Sequence, residues 1–408
     1  MSVQAEDAGL LAGPESVAQG APKRRVLLVT REVDGGLGQH FVDLAAGLAA
    51  RGWEVHCARA ENTQGAVTTH LHRLDRNPAI RVHSLPMRRE IGRSDWTAYR
   101  AFRALLERHG PFDITHGHGA KAGVLARLPA QGLGARFYTP HGLITADASL
   151  SYARRSLYRL IEGGLGRLAT DAMILVSEGE RREALRLGVP EKICHLIPNG
   201  MAEPAFLARA QARAELDLPA GAEVVLFVGR FVHAKSPERF LRLVAALAAA
   251  RPALFGVLIG SGAAKGQLSR QAQDLGIFER LRFFETNRAS AYMKAADLLV
   301  VPSRYEGLAY TMIESLAAGL PLVAFDVPGS ASVVRQGETG FVVPQGDEAA
   351  LAHHAARLLD DPAGRSRLSV AARWHFGNFR LGTMIDRTQE LYRQALGETA
   401  GATRSIAA

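Results

Sequence analysis

Short apolar runs alternate with longer amphipathic stretches over most of this chain. The first apolar run, residues 26–30, precedes a glycine-rich turn and a helical pattern over residues 39–50. Repeated alternation of this kind is typical of a parallel β-sheet covered by helices on both faces. The same pattern predicts further strands at residues 54–58, 80–84, 113–115, 136–139, 172–176 and 193–197.

A second series of strands begins beyond the turn residues Pro198, Asn199 and Gly200. Two similar sheets in succession imply a cleft between them. The strands predicted for the second sheet lie at residues 223–228, 254–259, 281–284, 298–301 and 322–325. Helical patterns follow at residues 348–359, 365–376 and 384–396.

The length of 408 residues exceeds what one hydrophobic core usually supports, which also favours two domains. We predict a disordered tail over residues 1–23, an N-terminal domain over residues 24–200 and a C-terminal domain over residues 201–382. Residues 383–408 are expected to form a helix and tail that pack back on the N-terminal domain.

The formal net charge of +9 indicates an anionic partner, and charge alone leaves open a nucleotide, a membrane surface or nucleic acid. Cys57 and Cys194 provide no disulfide framework and no paired metal ligands, which favours a reducing, cytosolic environment. The first 22 residues lack the basic start and apolar core of a signal peptide. The longest apolar stretch is interrupted by Arg251 and Pro252, so we expect membrane contact to be peripheral at most.

Two glutamates, Glu306 and Glu314, follow the predicted strand at residues 298–301. Pro302, Ser303 and Gly307 allow a sharp turn at the carboxyl end of this strand, where open α/β sheets bind ligands. Free amides at the start of the next helix favour an anionic ligand. We expect Glu306 to face the group attached to that anion, and Glu314 to accept hydrogen bonds from ribose hydroxyls.

Two cations follow the first strand of the second series. Arg230 offers a planar fork and Lys235 a mobile point charge, so together they can neutralise a diphosphate as its bond to a sugar breaks. Alternatively, both are ordinary surface side chains surrounded by solvent. Gly260, which follows the next strand, either allows close backbone approach to a ligand or forms a simple turn.

The N-terminal half carries a glycine turn and several histidines. Gly35 and Gly36 can admit a diphosphate or an acceptor against their amides. His116 and His118 have the alternate spacing of a metal pair, but no third ligand of suitable spacing is visible, so we predict no metal site. We expect His118, and secondarily His141, to hydrogen-bond a sugar hydroxyl or support charge at the reacting carbon; a buried structural histidine is the alternative.

Arginines recur with aromatic residues on two predicted helices of the N-terminal half. Such a face can lie on anionic lipid headgroups, or it can belong to an ordinary helix whose aromatic side is core. No recognised nucleic-acid motif accompanies these residues, so nucleic acid ranks last among the anionic partners. The residues are Arg93, Trp96, Tyr99, Arg100, Arg103, Tyr152, Arg154, Arg155, Tyr158, Arg159 and Arg167.

Together these elements resemble family 4 of the retaining glycosyltransferases over about residues 25–396. The segments around His116, His141 and Glu306 are similar to members that build bacterial exopolysaccharide or capsule repeats on a polyprenyl carrier. The likeness rests on Glu306 with Glu314, Arg230 with Lys235, Pro198-Asn199-Gly200, Gly35-Gly36 and the strand end at His118.

The resemblance implies an α/β protein of the GT-B fold, in which two Rossmann-like domains face each other across a cleft. The N-terminal domain would lie on the acceptor side, and the C-terminal domain would bind a nucleotide-diphosphate sugar, with UDP or GDP expected. Transfer to a polyprenyl-linked or saccharide acceptor would keep the anomeric configuration and need no metal or other cofactor. Such an enzyme is expected in the cytoplasm or peripherally on the inner face of the cytoplasmic membrane.

The resemblance also assigns roles to single residues. Arg230 and Lys235 would bind the diphosphate and Glu314 the ribose. The expected donor-binding residues are Arg230, Lys235, Gly260, Gly307, Leu308, Ala309 and Glu314; the catalytic residues are Glu306 and His118; and Gly35, Gly36 and His141 lie on the acceptor side or at the diphosphate.

Two positions depart from the family pattern. Ser332 stands where members often have a carboxylate, and Ala309 stands where glycine is common. Two alternatives therefore stay open. A nucleotide-sugar epimerase of the same fold would need a separate acid/base pair, which is not visible. A non-catalytic, transferase-like subunit that binds nucleotide or lipid is favoured by Ser332.

Overall fold

The computed structural model describes residues 23–31, 35–61, 69–88, 92–128, 130–146 and 150–398. Two parallel β-sheets, one after the other along the chain, form the framework of this part of the molecule. The predicted tail at residues 1–23 lies outside the described residues, apart from Lys23. The same is true of the predicted C-terminal tail beyond residue 398.

The N-terminal sheet has seven parallel strands among the described residues. They are β1 (Arg25–Thr30), β2 (Glu54–Ala60), β3 (Ile80–Leu85), β4 (Ile114–His118), β5 (Ala135–Thr139), β6 (Ala172–Leu175) and β7 (Cys194–Leu196). Their order across the sheet is β3-β2-β1-β4-β5-β6-β7. The helices of this half are α1 (Gly35–Ala50), α2 (Thr69–Asp75), α3 (Arg93–His109), α4 (Ala120–Arg127), α5 (Tyr152–Leu168) and α6 (Glu178–Arg186).

The C-terminal sheet contains six parallel strands within the described part of the chain. They are β8 (Glu223–Val228), β9 (Leu254–Ile259), β10 (Leu281–Phe284), β11 (Leu298–Val301), β12 (Leu322–Phe325) and β13 (Gly340–Val343), in the order β10-β9-β8-β11-β12-β13. The remaining helices are α7 (Arg209–Glu215), α8 (Pro237–Ala248), α9 (Lys265–Asp274), α10 (Tyr310–Ala318), α11 (Ser330–Val333), α12 (Glu348–Asp360), α13 (Pro362–Phe376) and α14 (Leu381–Ala395).

Strand order reverses at one point in each sheet, between β1 and β4 and between β8 and β11. In open α/β sheets ligands bind beyond the carboxyl ends of the strands at such a reversal. Strand β1 leads to Gly35 at the start of α1, β4 ends at His118, and the turns after β8 and β11 carry Arg230 and Glu306. The topology therefore brings the residues singled out in the sequence to the two reversal points.

Most predicted boundaries in the N-terminal half differ from the observed ones by a few residues, and two of the differences bear on the site. Helix α1 begins at Gly35 rather than at residue 39, so Gly35 and Gly36 form its first turn. Glycine is a poor helix former, which is why the sequence pattern placed the start too late. Strand β4 continues to His118, so His116 and His118 lie within a buried strand instead of following one.

The C-terminal helix α14 packs against the N-terminal domain. The two connections between the halves run side by side, since Met201 pairs with Arg380 as a parallel β-bridge. Helix α14 then lies on α1, where a β-carbon on Gly47 would be 2.1 Å from the side chain of Ile385. The hydroxyl of buried Tyr392 lies 2.6 Å from Nδ1 of His116. The last helix thus completes the core of the first domain.

Replacing Tyr392 with Phe tests this docking. The change leaves Nδ1 of His116 buried without its partner, so we expect the free energy of unfolding to fall by about 1–3 kcal/mol. Tyr152→Phe is the control, because this side chain is 84% exposed and its change should stay within about 0.5 kcal/mol. Urea denaturation of both variants measures the difference. Equal stability of Tyr392→Phe and the wild type would contradict the described packing.

Candidate active site

An ion pair joins the loops that follow β8 and β11. The ammonium of Lys235 contacts Oε1 of Glu306, and the hydroxyl of Ser303 donates a hydrogen bond of 2.8 Å to the same oxygen. Both charged side chains are largely shielded from solvent. A positive and a negative group are therefore held together at the carboxyl edge of the C-terminal sheet.

Arg304 fixes the two loops to each other. Its amide donates to the carbonyl of Ala234 at 2.8 Å, and its guanidinium donates to the carbonyl of His233 at 3.0 Å. The same guanidinium forms an ion pair of 2.7 Å with Glu238 at the start of α8. Because backbone and side-chain bonds act together, Lys235 and Glu306 keep a defined separation.

Arg230 and Gly260 occupy the neighbouring turns after β8 and β9. Arg230 is exposed, and its side chain forms no ion pair or hydrogen bond within the described residues. Gly260 has a φ of +152°, and a β-carbon there would lie 2.0 Å from the carbonyl oxygen of Gly229. Glycine at residue 260 is needed for the two turns to pack. The exposed guanidinium of Arg230 is available to a ligand.

Glu314 lies in α10, one helical turn beyond the loop. Burial raises the pKa of its carboxyl from 4.5 to about 7, and the nearby ammonium of Lys235 lowers this pKa in part. A carboxyl with such a pKa can donate as well as accept hydrogen bonds near neutral pH. Lys235 is thus electrostatically coupled to both glutamates of the predicted site.

The loop from Tyr305 to Ala309 meets the N-terminal domain. A β-carbon on Gly307 would lie 3.1 Å from the backbone of His141, and the hydroxyl of Tyr305 donates to the carbonyl of Leu143 at 3.2 Å. Leu308 is buried in this contact. Ala309 caps α10 with a φ of −72°, which alanine adopts without strain. The loop therefore forms part of the seam between the domains.

The glycine turn of α1 lies against the start of α10. A β-carbon on Gly36 would be 2.9 Å from the ring of Tyr310. Gly35 has a φ of +62°, in the left-handed region that favours glycine, and open space surrounds its missing side chain. Gly35 is therefore required by backbone conformation and Gly36 by close contact across the seam.

His118 and His141 lie together on the N-terminal side of the cleft. Nδ1 of His118 is 3.2 Å from Nε2 of His141, which follows β5 with a φ of 54°. Burial holds the pKa of both imidazoles well below the usual value, so they are neutral. His116 is different: Tyr392 and Thr139 engage its two ring nitrogens, and it is a structural histidine.

A third histidine, His40, joins this pair from α1. Ligand atoms of His40, His118 and His141 all lie within 4.8 Å of one another. The sequence showed no third ligand near His116 and His118 and gave no reason to group His40 with them, so the prediction of no metal site stays a prediction. A single histidine in an ordinary helical pattern, such as His40, does not by itself indicate a role in a site.

Glu180 is a further buried residue that sequence reasoning missed. Its carboxylate accepts hydrogen bonds from the backbone amides of Val176, at 3.0 Å, and of Gly142. Burial raises the pKa of this carboxyl to about 7. The only sequence signal is the spacing Ser177-x-x-Glu180, typical of a helix N-terminal capping box. Glu180 holds the turn that carries His141.

Ser332, the departure from the family pattern, also lies at the domain seam. Its hydroxyl oxygen accepts a hydrogen bond of 3.2 Å from the backbone amide of Glu178. Nearby, a β-carbon on Gly179 would lie 2.4 Å from the carbonyl oxygen of Pro328. Helices α6 and α11 thus approach closely here, and a short side chain at residue 332 suits the contact.

A cavity of about 670 Å³ opens beside His118 and His141 in the N-terminal half. Charged groups at its edges include Lys121, paired with Asp95 at 2.6 Å, and the exposed Arg154. Much of its wall is apolar and consists of Met87, Ala98, Val124, Leu125, Leu128, Ile144, Leu150 and Ile161. The cavity can accommodate a molecule with both an apolar and a charged part.

Known proteins match both halves. The family described as "Glycosyl transferase 4-like domain" matches residues 35–200, and "Glycosyl transferases group 1" matches residues 208–375. D-inositol 3-phosphate glycosyltransferase of Streptomyces avermitilis is 30% identical over 89% of this chain and 83% of its own length. Sucrose-phosphate synthase from Thermosynechococcus elongatus superimposes with a TM-score of 0.79 at 24% identity, covering 92% of this chain and all of that one. Anabaena HepE in complex with UDP-glucose superimposes with a TM-score of 0.76 at 17% identity, covering 91% of this chain and 99% of that one.

The two sheets, their facing reversal points and these matches define a glycosyltransferase. The chain belongs to the group 1, or family 4, glycosyltransferases and has their GT-B fold. The predicted family and fold class are thereby confirmed. The curated relatives are named for glycosylation of D-inositol 3-phosphate rather than for polysaccharide synthesis, so their names do not support the predicted polysaccharide acceptor.

Glu314→Gln tests the buried carboxyl of α10. With a pKa raised to about 7, Glu314 stabilises the folded state fully below about pH 4.5, and this contribution is lost as pH rises through about 7. The amide does not ionise, so we expect the thermal midpoint of the variant to fall less than that of the wild type between about pH 5 and about pH 8. Glu203→Gln, at an exposed position, is the control. Identical profiles for Glu314→Gln and the wild type would contradict the assigned pKa.

Proposed function

We propose that the protein is a retaining glycosyltransferase of bacterial cell-surface polysaccharide synthesis. It moves a sugar from a nucleotide-diphosphate sugar, carrying UDP or GDP, to a polyprenyl-linked or saccharide acceptor. One observation carries the proposal: cationic loops after β8 and β11 lie across a seam from an apolar-walled cavity beside His118. A charged donor and a partly apolar acceptor fit these two sides.

The donor binds the C-terminal loops through its diphosphate. Arg230 is free to form a fork with one phosphate, and the amides at the start of α10 offer further donors. Lys235 exchanges its contact with Glu306 for a phosphate oxygen, which leaves the Glu306 carboxylate to accept hydrogen bonds from the sugar. HepE, with the same fold, was solved with UDP-glucose, which favours a nucleotide sugar here too.

Transfer requires the bond between the sugar and the diphosphate to break while a bond to the acceptor oxygen forms. Arg230 and Lys235 stabilise the negative charge that develops on the leaving diphosphate, the role a metal ion plays in other transferases. A phosphate oxygen takes the proton of the acceptor hydroxyl on the same face of the sugar, so the configuration is kept. His118, neutral and buried, hydrogen-bonds the sugar and orients it.

The acceptor occupies the cavity beside His118. Its apolar wall favours a lipid carrier, because burial of apolar surface stabilises binding by about 25 cal/mol per Å². An inositol phosphate carries oxygen on every ring carbon and would give this apolar wall no apolar group to contact. The names of the relatives favour D-inositol 3-phosphate as a second candidate acceptor. The matches do not favour the epimerase or the non-catalytic subunit.

Helix α5 provides a surface for the membrane in which a polyprenyl acceptor lies. One side of α5 lines the cavity, and its outer side exposes Leu157, Leu160 and Leu168 in helical register. The same helix exposes arginines at residues 154, 159 and 167. A basic helix with exposed leucines suits an anionic lipid surface. We therefore propose a cytoplasmic protein bound peripherally to the membrane.

None of the helices in the described residues combines the length and the apolar character that crossing a bilayer requires. The α5 surface is accordingly proposed to lie on the membrane without entering it as a span.

The donor assignment is tested by thermal shift with UDP-, GDP- and ADP-sugars, because a bound donor stabilises the folded state by mass action. We expect one nucleotide to raise the midpoint of the wild type, and Lys235→Ala to lose this shift together with at least about 100-fold in transfer rate. Glu306→Gln should also abolish turnover while leaving the fold intact. Lys192→Ala, at an exposed position away from the cleft, should behave as the wild type. Native transfer rates in both site variants would refute the assigned site.

The membrane assignment is tested by co-sedimentation with vesicles of phosphatidylglycerol or phosphatidylcholine. We expect binding to the anionic vesicles only, release by raised salt, and a loss of several-fold or more for Leu160→Asp in α5. Leu160 is 74% exposed, so the fold should tolerate this change. Trp374→Asp is the matched control, since this side chain is 71% exposed on α13. Binding that survives high salt would contradict an electrostatic attachment.

A further inference from the structure

The three histidines of the cleft come from separate parts of the N-terminal domain. His40 lies in α1, His118 ends β4, and His141 lies in the turn after β5. The ring centroids of His40 and His141 are 4.5 Å apart, and those of His118 and His141 are 5.5 Å apart. This is the one group of at least three potential metal ligands found among the described residues. The fold, not local spacing, brings the three imidazoles together.

Two nitrogens of this cluster lack a hydrogen-bond partner in the part of the chain that the structure describes. They are Nδ1 of His40 and Nε2 of His118, and both are inaccessible to solvent. A buried polar atom without a partner costs about 1–3 kcal/mol. The neighbouring His116 has no such deficit, since both of its nitrogens are engaged. Two of the three cluster histidines thus carry a buried nitrogen without a partner; among the described residues, Nδ1 of His354, outside the cluster, is another.

We propose that His40, His118 and His141 bind a divalent transition-metal ion of the Zn²⁺ type in the cleft. Zinc bonds to imidazole nitrogen at about 2.0–2.1 Å, so two ligands of a tetrahedral site lie about 3.3 Å apart. The separation of 3.2 Å between Nδ1 of His118 and Nε2 of His141 agrees with this. In this arrangement the unpartnered nitrogen that the ion engages is Nδ1 of His40, and Nε2 of His118 stays without a partner. The cluster contains no carboxylate, so it discriminates against Mg²⁺, which takes oxygen ligands.

An ion held by these residues would lie at the wall of the acceptor cavity, because His118 and His141 line that cavity. Three protein ligands and one open position are the usual arrangement of an accessible zinc ion. A bound ion takes up nitrogen atoms of His118 and His141 and fills the space beside them. In the proposed function His118 binds the sugar, so an ion that occupies this histidine inhibits transfer. This conclusion rests on the proposed function.

The test is titration of the full-length protein, stripped with EDTA, with Zn²⁺ in a calorimeter and without any nucleotide sugar. We expect one ion per chain to bind to the wild type, a loss of that ion in His40→Ala and in the less disruptive His40→Gln, and no binding of Mg²⁺. His353→Ala removes an exposed histidine of α12 and should keep the ion. Circular dichroism of the metal-free variants checks that they are folded.

Equal Zn²⁺ stoichiometry and affinity in the wild type and in a folded His40 variant would overturn the site, since the ion would then bind elsewhere. Failure of the wild type to bind Zn²⁺ would do the same and would leave the three histidines as a neutral hydrogen-bonded cluster. Because the titration contains no donor, its outcome does not depend on transfer activity. Zinc binding by a protein that transfers no sugar even when it is metal-free would refute the proposed function and retain the metal site.

Discussion

The ion pair between Lys235 and Glu306 is the contact on which the candidate site depends. It holds an ammonium group and a carboxylate at the carboxyl edge of the C-terminal sheet, and Arg304 locks the two loops that carry them. Without a ligand the charges neutralise each other, so neither is left uncompensated in a partly buried position. A diphosphate offers Lys235 a stronger anionic partner and frees Glu306. The same contact thus stabilises the empty site and prepares it for a donor.

The domain seam makes the two halves of the site depend on each other. The turn carrying His141 is held by Glu180 from its own domain and touches Gly307 from the other. The start of α1 packs on the ring of Tyr310, and α14 returns from the C-terminal half to complete the N-terminal core. Donor loops and histidines are therefore positioned by shared contacts and not by one domain alone.

The sequence predicted the strands of the C-terminal sheet from residue 223 to residue 325 with the bounds observed, because buried parallel strands form continuous apolar runs. It missed β13, a short edge strand that begins with glycine. It placed Lys235 and Glu306 on the same edge of the sheet, as the strand order requires. It did not predict their ion pair, because pairing between side chains distant in the chain leaves no local pattern. His40 and Glu180 were missed for the same reason, since only the fold brings His40 to His118 and His141 and Glu180 to Gly142.

A crystal structure of the protein with bound nucleoside diphosphate, UDP or GDP, would show where the diphosphate lies. We expect it to lie against Arg230, Lys235 and the amides of Gly307 to Ala309, with the ammonium of Lys235 moved from Glu306 to a phosphate oxygen. A nucleotide bound elsewhere, with the Lys235–Glu306 pair still intact, would contradict it.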